Sequence, residues 1–319
     1  AVNIPSYQPT VSPNGLQVKK ILQFLKKAKR PLILAGGGVN YADANEALKI
    51  FAETYQIPVV STLLGLGAIP VNHDLSLGMG GMHGSYASNM ALTEADYIIN
   101  FGARFDDRLT GNVNTFAKHA TVAHVDIDPA EIGKVVSTQI PVVGDVRNAL
   151  DLLNGFDKVE TDFSDWTQKV LANKARAPFG YDKDDEVIKP QEVIEIIGQL
   201  TDGDAIIVTD VGQHQMWAAQ FYPYKHASQL ITSGGMGTMG FGIPAAIGAK
   251  IANPDKEVIL FVGDGGFQMT NQELAILNGY GVPIKVVLIN NHSLGMVRQW
   301  QESFYNERRS ESTFDDEPN

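Results

Sequence analysis

Val258-Ile-Leu-Phe-Val-Gly-Asp-Gly-Gly266, then Phe267 to Tyr280, then Lys285-Val-Val-Leu-Ile-Asn-Asn291, is the stretch whose reading decides the fold. Two apolar runs of strand length flank a segment with helical spacing, which predicts a β-α-β unit with parallel strands. Asp264 and Asn291 then fall at the carboxyl ends of neighbouring strands, where open α/β sheets place their ligands. A carboxylate and an amide carbonyl are hard oxygen donors suited to Mg²⁺, a cation that keeps some waters and takes further oxygens from a phosphate. Gly265 and Gly266 leave bare backbone beside such a metal. Thr270 and Glu273 have capping-box spacing, which would start the helix just after the glycines. The pieces together describe a site for a diphosphate held through a divalent metal; taken singly, Gly-Asp-Gly is an ordinary strand-to-turn connection and Asn-Asn an ordinary loop.

At 319 residues the chain exceeds the size at which one core stops growing, so two domains are expected. The pattern turns polar and charged between Asn154 and Lys189, with Asp182-Lys-Asp-Asp-Glu186 near its far end. This divides the chain into a first domain at 1–155, a linker at 156–189 and a second domain at 190–319. The net charge of −11 without a basic run argues against nucleic acid as a partner. No apolar stretch is long enough to cross a bilayer and no signal peptide is visible. With no cysteine, disulfides and thiolate metal sites are excluded, which fits a cytoplasmic protein.

In the first domain, the short apolar runs Pro31–Ala35, Pro58–Val60, Tyr97–Phe101, Thr121–Asp126 and Pro141–Val143 alternate with helical stretches such as Ala42–Tyr55. That alternation predicts a doubly wound α/β fold with a parallel sheet. Gly36-Gly-Gly38 follows the first run but lacks the G-x-G-x-x-G spacing, because Tyr41 occupies the last glycine's place; by itself it reads as a tight turn. Asp126 ends a strand where an acid can accept from a ribose hydroxyl, or simply serves the turn before Pro129. Arg104 and Arg108 offer planar guanidinium donors to a phosphate, or pair with Asp106 and Asp107 on the surface.

In the second domain, Gln213 and His214 precede a helix-like stretch and can donate to a diphosphate; otherwise they are capping or surface residues. Met239 stands among Gly237, Gly240 and Gly242, a flexible apolar side chain on a bare backbone, or else a core methionine. Trp300, with Met296, Val297 and Phe304 at spacings that share a helix face, reads as a partly buried helix aromatic.

Gly-Asp-Gly ending one strand and Asn-Asn ending the next resembles the signature of thiamine diphosphate enzymes. Val211-Gly-Gln-His-Gln-Met-Trp-Ala-Ala-Gln220, Thr232 to Gly248, Gly295-Met-Val-Arg-Gln-Trp-Gln301 and Gly102-Ala-Arg-Phe-Asp-Asp-Arg-Leu-Thr-Gly111 narrow the resemblance to catalytic subunits of the acetolactate (acetohydroxyacid) synthase family. The similarity runs through the whole chain. It implies a Rossmann-like middle domain and a thiamine diphosphate-binding fold. It also implies that the chain is a fragment, lacking the pyrimidine-binding domain with its catalytic glutamate and truncated at the far end of the last domain.

The resemblance further implies three cofactors: thiamine diphosphate, Mg²⁺ and FAD. Asp264 and Asn291 would ligate Mg²⁺ by side chain and Ser293 by its backbone carbonyl. Gln213, His214, Gly265, Gly266, Gly295 and Met296 would line the cofactor. Gly237, Met239 and Trp300 would serve the catalytic site, the first two at the aminopyrimidine and Trp300 near the substrate entrance. FAD, with no net redox role, would lie along Gly36 and Gly37, Thr62 and Leu63, Gly81-Met82-His83-Gly84, Gly102-Ala103-Arg104, Asp106, Arg108, Asp126-Ile127 and Gly144-Asp145. The implied reaction joins two pyruvates, or pyruvate and 2-ketobutyrate, with loss of CO₂, in branched-chain amino-acid biosynthesis. A homodimer or homotetramer with a small regulatory subunit is the implied assembly. The fragment alone is expected to be inactive, and residues 290–319 mobile or re-docked without cofactor and partner. A pyruvate oxidase or another thiamine diphosphate-dependent decarboxylase is the alternative enzyme, and a non-catalytic cofactor-binding or regulatory module the alternative class.

Overall fold

The computed structural model describes residues 8–184 and 186–314; residues 1–7 of the first expected domain, Asp185 of the charged stretch and residues 315–319 of the tail lie outside the described residues. Among the described residues two compact units are present, one within 1–180 with 225–228, the other within 181–224 with 229–319.

The first unit is built on six parallel strands, β1 (Pro31–Ala35), β2 (Val59–Ser61), β3 (Ser76–Met79), β4 (Tyr97–Phe101), β5 (Thr121–Asp126) and β6 (Ile140–Val143), in the order β3-β2-β1-β4-β5-β6. Every residue of β1 and β4 is buried, because helices cover both faces of the sheet and an all-parallel sheet must be apolar on both. Ile33, Ile99, Ala123 and Val125 pack one way, with Leu48 and Phe51 of the helix Asn45–Tyr55. Leu32, Leu34, Ile98 and Val122 pack the other way, with Ala87, Ala91 and Trp166. The doubly wound α/β reading of the sequence is therefore realised, and the strand order reverses between β1 and β4, the place where such sheets open a crevice.

Two details differ from the sequence reading. β3 has no counterpart among the expected runs: Ser76-Leu-Gly-Met79 contains no β-branched residue, and its Gly78 has a φ of +86°. The stretch 156–189 is not simply a linker. Ser164–Arg176 is a helix of the first unit, held by buried Trp166 and Val170; Trp166 Nε1 donates to the Pro31 carbonyl at 2.8 Å, and Thr167 Oγ1 donates to that of Gln56 at 2.9 Å. Its outward residues are polar, so composition alone resembled a connector.

The second unit has four parallel strands, β7 (Ile206–Thr209), β8 (Leu230–Ile231), β9 (Val258–Gly263) and β10 (Lys285–Ile289), in the order β10-β9-β7-β8. β9 and β10 pair in parallel with Gly263 opposite Ile289, so Asp264 and Asn291 do emerge at one edge of the sheet. The helix Gly242–Ala252 contributes Ile243, Ala246 and Ile247 to a core with Val208, Leu260 and Val262.

The capping box is not formed. The helix after β9 begins at Asp264 itself and runs to Thr270; a short 3₁₀ turn at Asn271–Glu273 and a second helix, Leu274–Tyr280, complete the crossover. Thr270 makes no cap because its hydroxyl donates instead to the Gly240 carbonyl at 2.9 Å, joining the crossover to the glycine-rich loop.

Candidate cofactor and metal site

The loops leaving β7, β9 and β10 enclose one cavity of about 380 Å³, within the size range of small-ligand sites. The strand order of the second unit reverses between β7 and β9, so the cavity sits at the switch point. Its walls bring together residues far apart in sequence: Gln213 and His214 after β7, Gly237 and Met239 from the glycine-rich loop, Asp264 to Gly266 after β9, and Asn291, Ser293, Gly295, Met296 and Trp300 after β10.

Oxygen donors are among the lining residues. Asp264 is half-buried in the first turn of its helix, and among the described residues its carboxylate has no hydrogen-bond or ion-pair partner. Among the described residues it is the one carboxylate lining the cavity. Asn291 Nδ2 donates to Gln213 Oε1 at 3.3 Å, and its Oδ1 accepts from the Ser293 N–H at 3.2 Å. Gly295 permits this arrangement, since a Cβ there would overlap Gln213 Oε1 and stand 2.5 Å from Asn291 Nδ2. Ser293 is buried, and its backbone pairs antiparallel with Thr313; Leu294 N–H donates to the Ser312 carbonyl and Phe314 N–H to that of His292. Residues 312–314 are thus docked along the β10 loop.

Apolar side chains also line the cavity. Met239 lies between Gly237 (φ +57°) and Gly240 (φ +84°), left-handed positions that let the loop turn sharply. A Cβ on Gly237 would meet nothing within 4 Å, so that residue leaves open space, whereas Met239 Cε reaches to 3.5 Å of where a Gly265 Cβ would be. Met296 and Trp300 are one turn apart on the helix Gly295–Phe304, and the Trp300 ring lies 5.0 Å from that of Phe304.

Trp217, Val211 and Leu294 also line the cavity, and the sequence reading singled out none of them. It also passed over Asp210, which is fully buried directly behind the wall. The signal was available: Asp210 follows the apolar run Ile206–Thr209 as Asp264 follows Val258–Gly263.

Comparison with known proteins agrees with this geometry. Residues 18–153 match the family profile described as thiamine pyrophosphate enzyme, central domain, and residues 210–319 match thiamine pyrophosphate enzyme, C-terminal TPP binding domain. This chain belongs to the thiamine pyrophosphate enzyme family. It is similar to the acetolactate synthase large subunit of Lactococcus lactis subsp. lactis (64% identical over 319 residues, 100% of this chain and 56% of that protein). It is similar also to the acetolactate synthase large subunit of Corynebacterium glutamicum (48% over 314 residues, 97% and 50%) and to acetolactate synthase isozyme 3 large subunit of Escherichia coli K12 (45% over 318 residues, 98% and 55%). The chain spans about half the length of the curated relatives it matches.

A thiamine pyrophosphate enzyme must hold both a charged diphosphate and aromatic rings, and the lining offers polar groups and apolar side chains for the two. The Asp264 carboxylate, without a partner among the described residues, the Asn291 amide and the Ser293 backbone suit a hard dication, and Gly265 and Gly266 line the cavity beside them. Met239, Met296 and Trp300 supply apolar surface.

In the first unit, the sequence candidates all lie at the carboxyl edge of the sheet. Gly36 and Gly37 follow β1, Thr62 and Leu63 follow β2, Gly81 to Gly84 follow β3, Gly102 to Arg104 follow β4, Asp126 and Ile127 end β5, and Gly144 and Asp145 follow β6. Several already have local duties. Thr62, Asp106 and Asp145 cap helices through their side chains, and Arg108 pairs with Asp107 at 3.0 Å on the surface. Arg104 is exposed and Met82 partly so. His83 is half-buried, and burial first, then the nearby Arg108 charge, lower its pKa. Asp126 is buried, with Oδ1 accepting from the Asp128 N–H.

His214 carries a pH consequence. Burial pulls its pKa from 6.5 down to about 4, against the opposing influence of the Asp210 carboxylate, and its Nε2 has no partner. The ring is therefore neutral at pH 7. A histidine whose native pKa is depressed binds fewer protons folded than unfolded, so its contribution is intact above about 6.5 and is lost as pH falls toward about 4. The second unit should lose up to about 3 kcal/mol across that window. Urea unfolding at pH 7 and pH 4 should show this slope, and His214→Phe should flatten it; an unchanged slope in that variant would remove His214 as its source.

Proposed function

We propose that this chain is the central and cofactor-binding portion of an acetolactate synthase large subunit, a transferase of a two-carbon acyl unit. The observation that supports it most is the cavity of the second unit, which joins the Gly-Asp-Gly end of β9, the Asn-Asn end of β10 and the Met239 loop in one lining. The 64% identity to a protein of that name along the full chain supports the same reading.

In this reading Asp264, Asn291 and the Ser293 carbonyl hold Mg²⁺, while Gln213, His214, Gly265 and Gly266 face the diphosphate. Gly237 and Met239 hold the aminopyrimidine, with Gly295 and Met296 completing the wall. Trp300 stands at the substrate entrance beside Phe304. Bound thiamine diphosphate supplies an electron sink for loss of CO₂ from a 2-keto acid. The chain's own part is to neutralise phosphate charge at one end, wedge the rings at the other, and exclude water with Met239, Met296 and Trp300. Pyruvate is the donor, with pyruvate or 2-ketobutyrate as acceptor.

FAD belongs to the carboxyl edge of the first unit, where Asp126 offers an acceptor and Arg104 and Arg108 offer donors. The relatives' designation as large subunits supports a smaller partner chain, and a homodimer or homotetramer of the full-length polypeptide completes the assembly. Among the described residues no helix is long and apolar enough to cross a membrane. A cytoplasmic biosynthetic enzyme is the consistent setting.

The test is an assay of the full-length polypeptide containing this chain. Acetolactate should form from pyruvate only with Mg²⁺ and thiamine diphosphate present, without oxygen uptake. Oxygen consumption in step with pyruvate loss would instead assign a pyruvate oxidase.

A further inference from the structure

The carboxylate of Asp210 bonds to segments that carry cavity-lining residues, although the residue itself lines none of it. Asp210 follows β7, is fully buried, and its Oδ2 accepts the Gly242 N–H at 2.7 Å. Its Oδ1 accepts the Gly240 N–H at 3.1 Å and its own neighbour Val211's N–H at 2.9 Å. Gly266 lies against the same group, because a Cβ there would overlap Oδ1 and stand 2.9 Å from Cγ. One acid thus binds the start of the β7 loop and the loop carrying Met239, and packs under the second glycine of Gly-Asp-Gly-Gly. The Met239 loop is otherwise held mainly from within. Met236, Gly237 and Thr238 are exposed; the Met236, Gly237 and Phe241 N–H groups donate to the Ser233, Gly234 and Thr238 carbonyls, the Thr238 N–H donates to Ser233 Oγ at 3.0 Å, and the Thr270 hydroxyl ties Gly240 to the crossover.

We infer that Asp210 is the positioning residue of this site, fixing Met239 through the Gly240 and Gly242 N–H groups so that the ring-binding end is formed before a ligand enters. The inference rests on the cofactor reading only for the identity of the ring-bearing ligand. The loop geometry stands without it. A carboxylate can accept from all three N–H groups, whereas an asparagine of the same shape has one acceptor oxygen and turns an amide donor toward an N–H. Gly266 would still fit against that side chain.

The experiment uses Asp210→Asn in the same 319-residue chain. Without any ligand, amide exchange at Gly240 and Gly242 should accelerate about ten- to a hundred-fold, while Leu260 in β9 exchanges as before. With Mg²⁺ present, affinity for thiamine diphosphate should fall about tenfold and affinity for inorganic diphosphate, which has no ring, should hold. Unchanged exchange at Gly240 and Gly242 would overturn the inference. Equal weakening of both ligands would also overturn it, showing a general structural acid. If the unaltered chain binds neither ligand, the cofactor reading fails separately, and the exchange result still decides whether Asp210 sets the loop.

Discussion

Replacing Asp264 by alanine should lower Mg²⁺-dependent binding of thiamine diphosphate by about a hundred-fold or more, with little effect on folding. Among the described residues Asp264 is the one carboxylate facing the cavity, so its loss removes the charged ligand of a hard dication. The amide of Asn291 and a backbone carbonyl carry no formal charge to replace it. Stability should hardly respond, because among the described residues the Asp264 carboxylate makes no hydrogen bond or ion pair whose loss would be felt. Titration with the cofactor at several Mg²⁺ concentrations, together with a thermal melt, separates the two effects. Unaltered affinity in Asp264→Ala would remove this residue from the metal site. A large drop in melting temperature would show that it serves the fold instead.

The second large effect belongs to the first unit. Gly36→Ala should destabilise that unit by about 3 kcal/mol or more and lower its melting temperature by about 10 °C. A Cβ at position 36 would overlap the Gly102 carbonyl oxygen and stand 2.5 Å from Ala103 Cα. Both obstacles are backbone, and neither can rotate away. The collision occurs where β1 and β4 lie side by side and their loops diverge, so relief requires separating the strands at the switch point. Calorimetry of the variant should show the loss, and a melting temperature within about 1 °C of the parent would mean that the loops can part at little cost. This also revises the role read for Gly36-Gly-Gly38. Its first glycine is required by a chain crossing, whether or not a dinucleotide lies above it.

Most of the fold could be read from the chain because its strands are buried on both faces. Pro31–Ala35 is a continuous apolar run and Tyr97–Phe101 and Thr121–Asp126 are mostly apolar, as parallel sheets covered by helices demand. Ser76–Met79 escaped because a short strand containing serine and a left-handed glycine has neither the run nor the alternation. The helix Ser164–Arg176 escaped for the opposite reason: Trp166, Thr167 and Val170 anchor it while most of its surface is polar. Thr270 and Glu273 have the right spacing for a cap, but hydrogen-bond partners are chosen in three dimensions, and the Gly240 carbonyl takes the Thr270 hydroxyl.

The site was legible where residue type and strand position coincide. Asp264 and Asn291 are polar residues just past apolar strands, and the register of β9 with β10 carries them to one edge. Ser293, Gly237 and Met239 carry no such local signal; their place came from resemblance, and the cavity lining gathers them. Asp210 shows what pattern reading omits. Its chemistry depends on N–H groups 30 and 32 positions later, which no local window contains.

The central claim is that the second unit holds thiamine diphosphate through a divalent metal, and isothermal titration of this chain with the cofactor, with and without Mg²⁺, tests it most directly. Saturable binding should appear with Mg²⁺, vanish with a chelator, and be competed by inorganic diphosphate. Binding that is indifferent to the chelator, or no binding with Mg²⁺ in excess, would contradict the assignment of Asp264, Asn291 and Ser293 as a metal-diphosphate site.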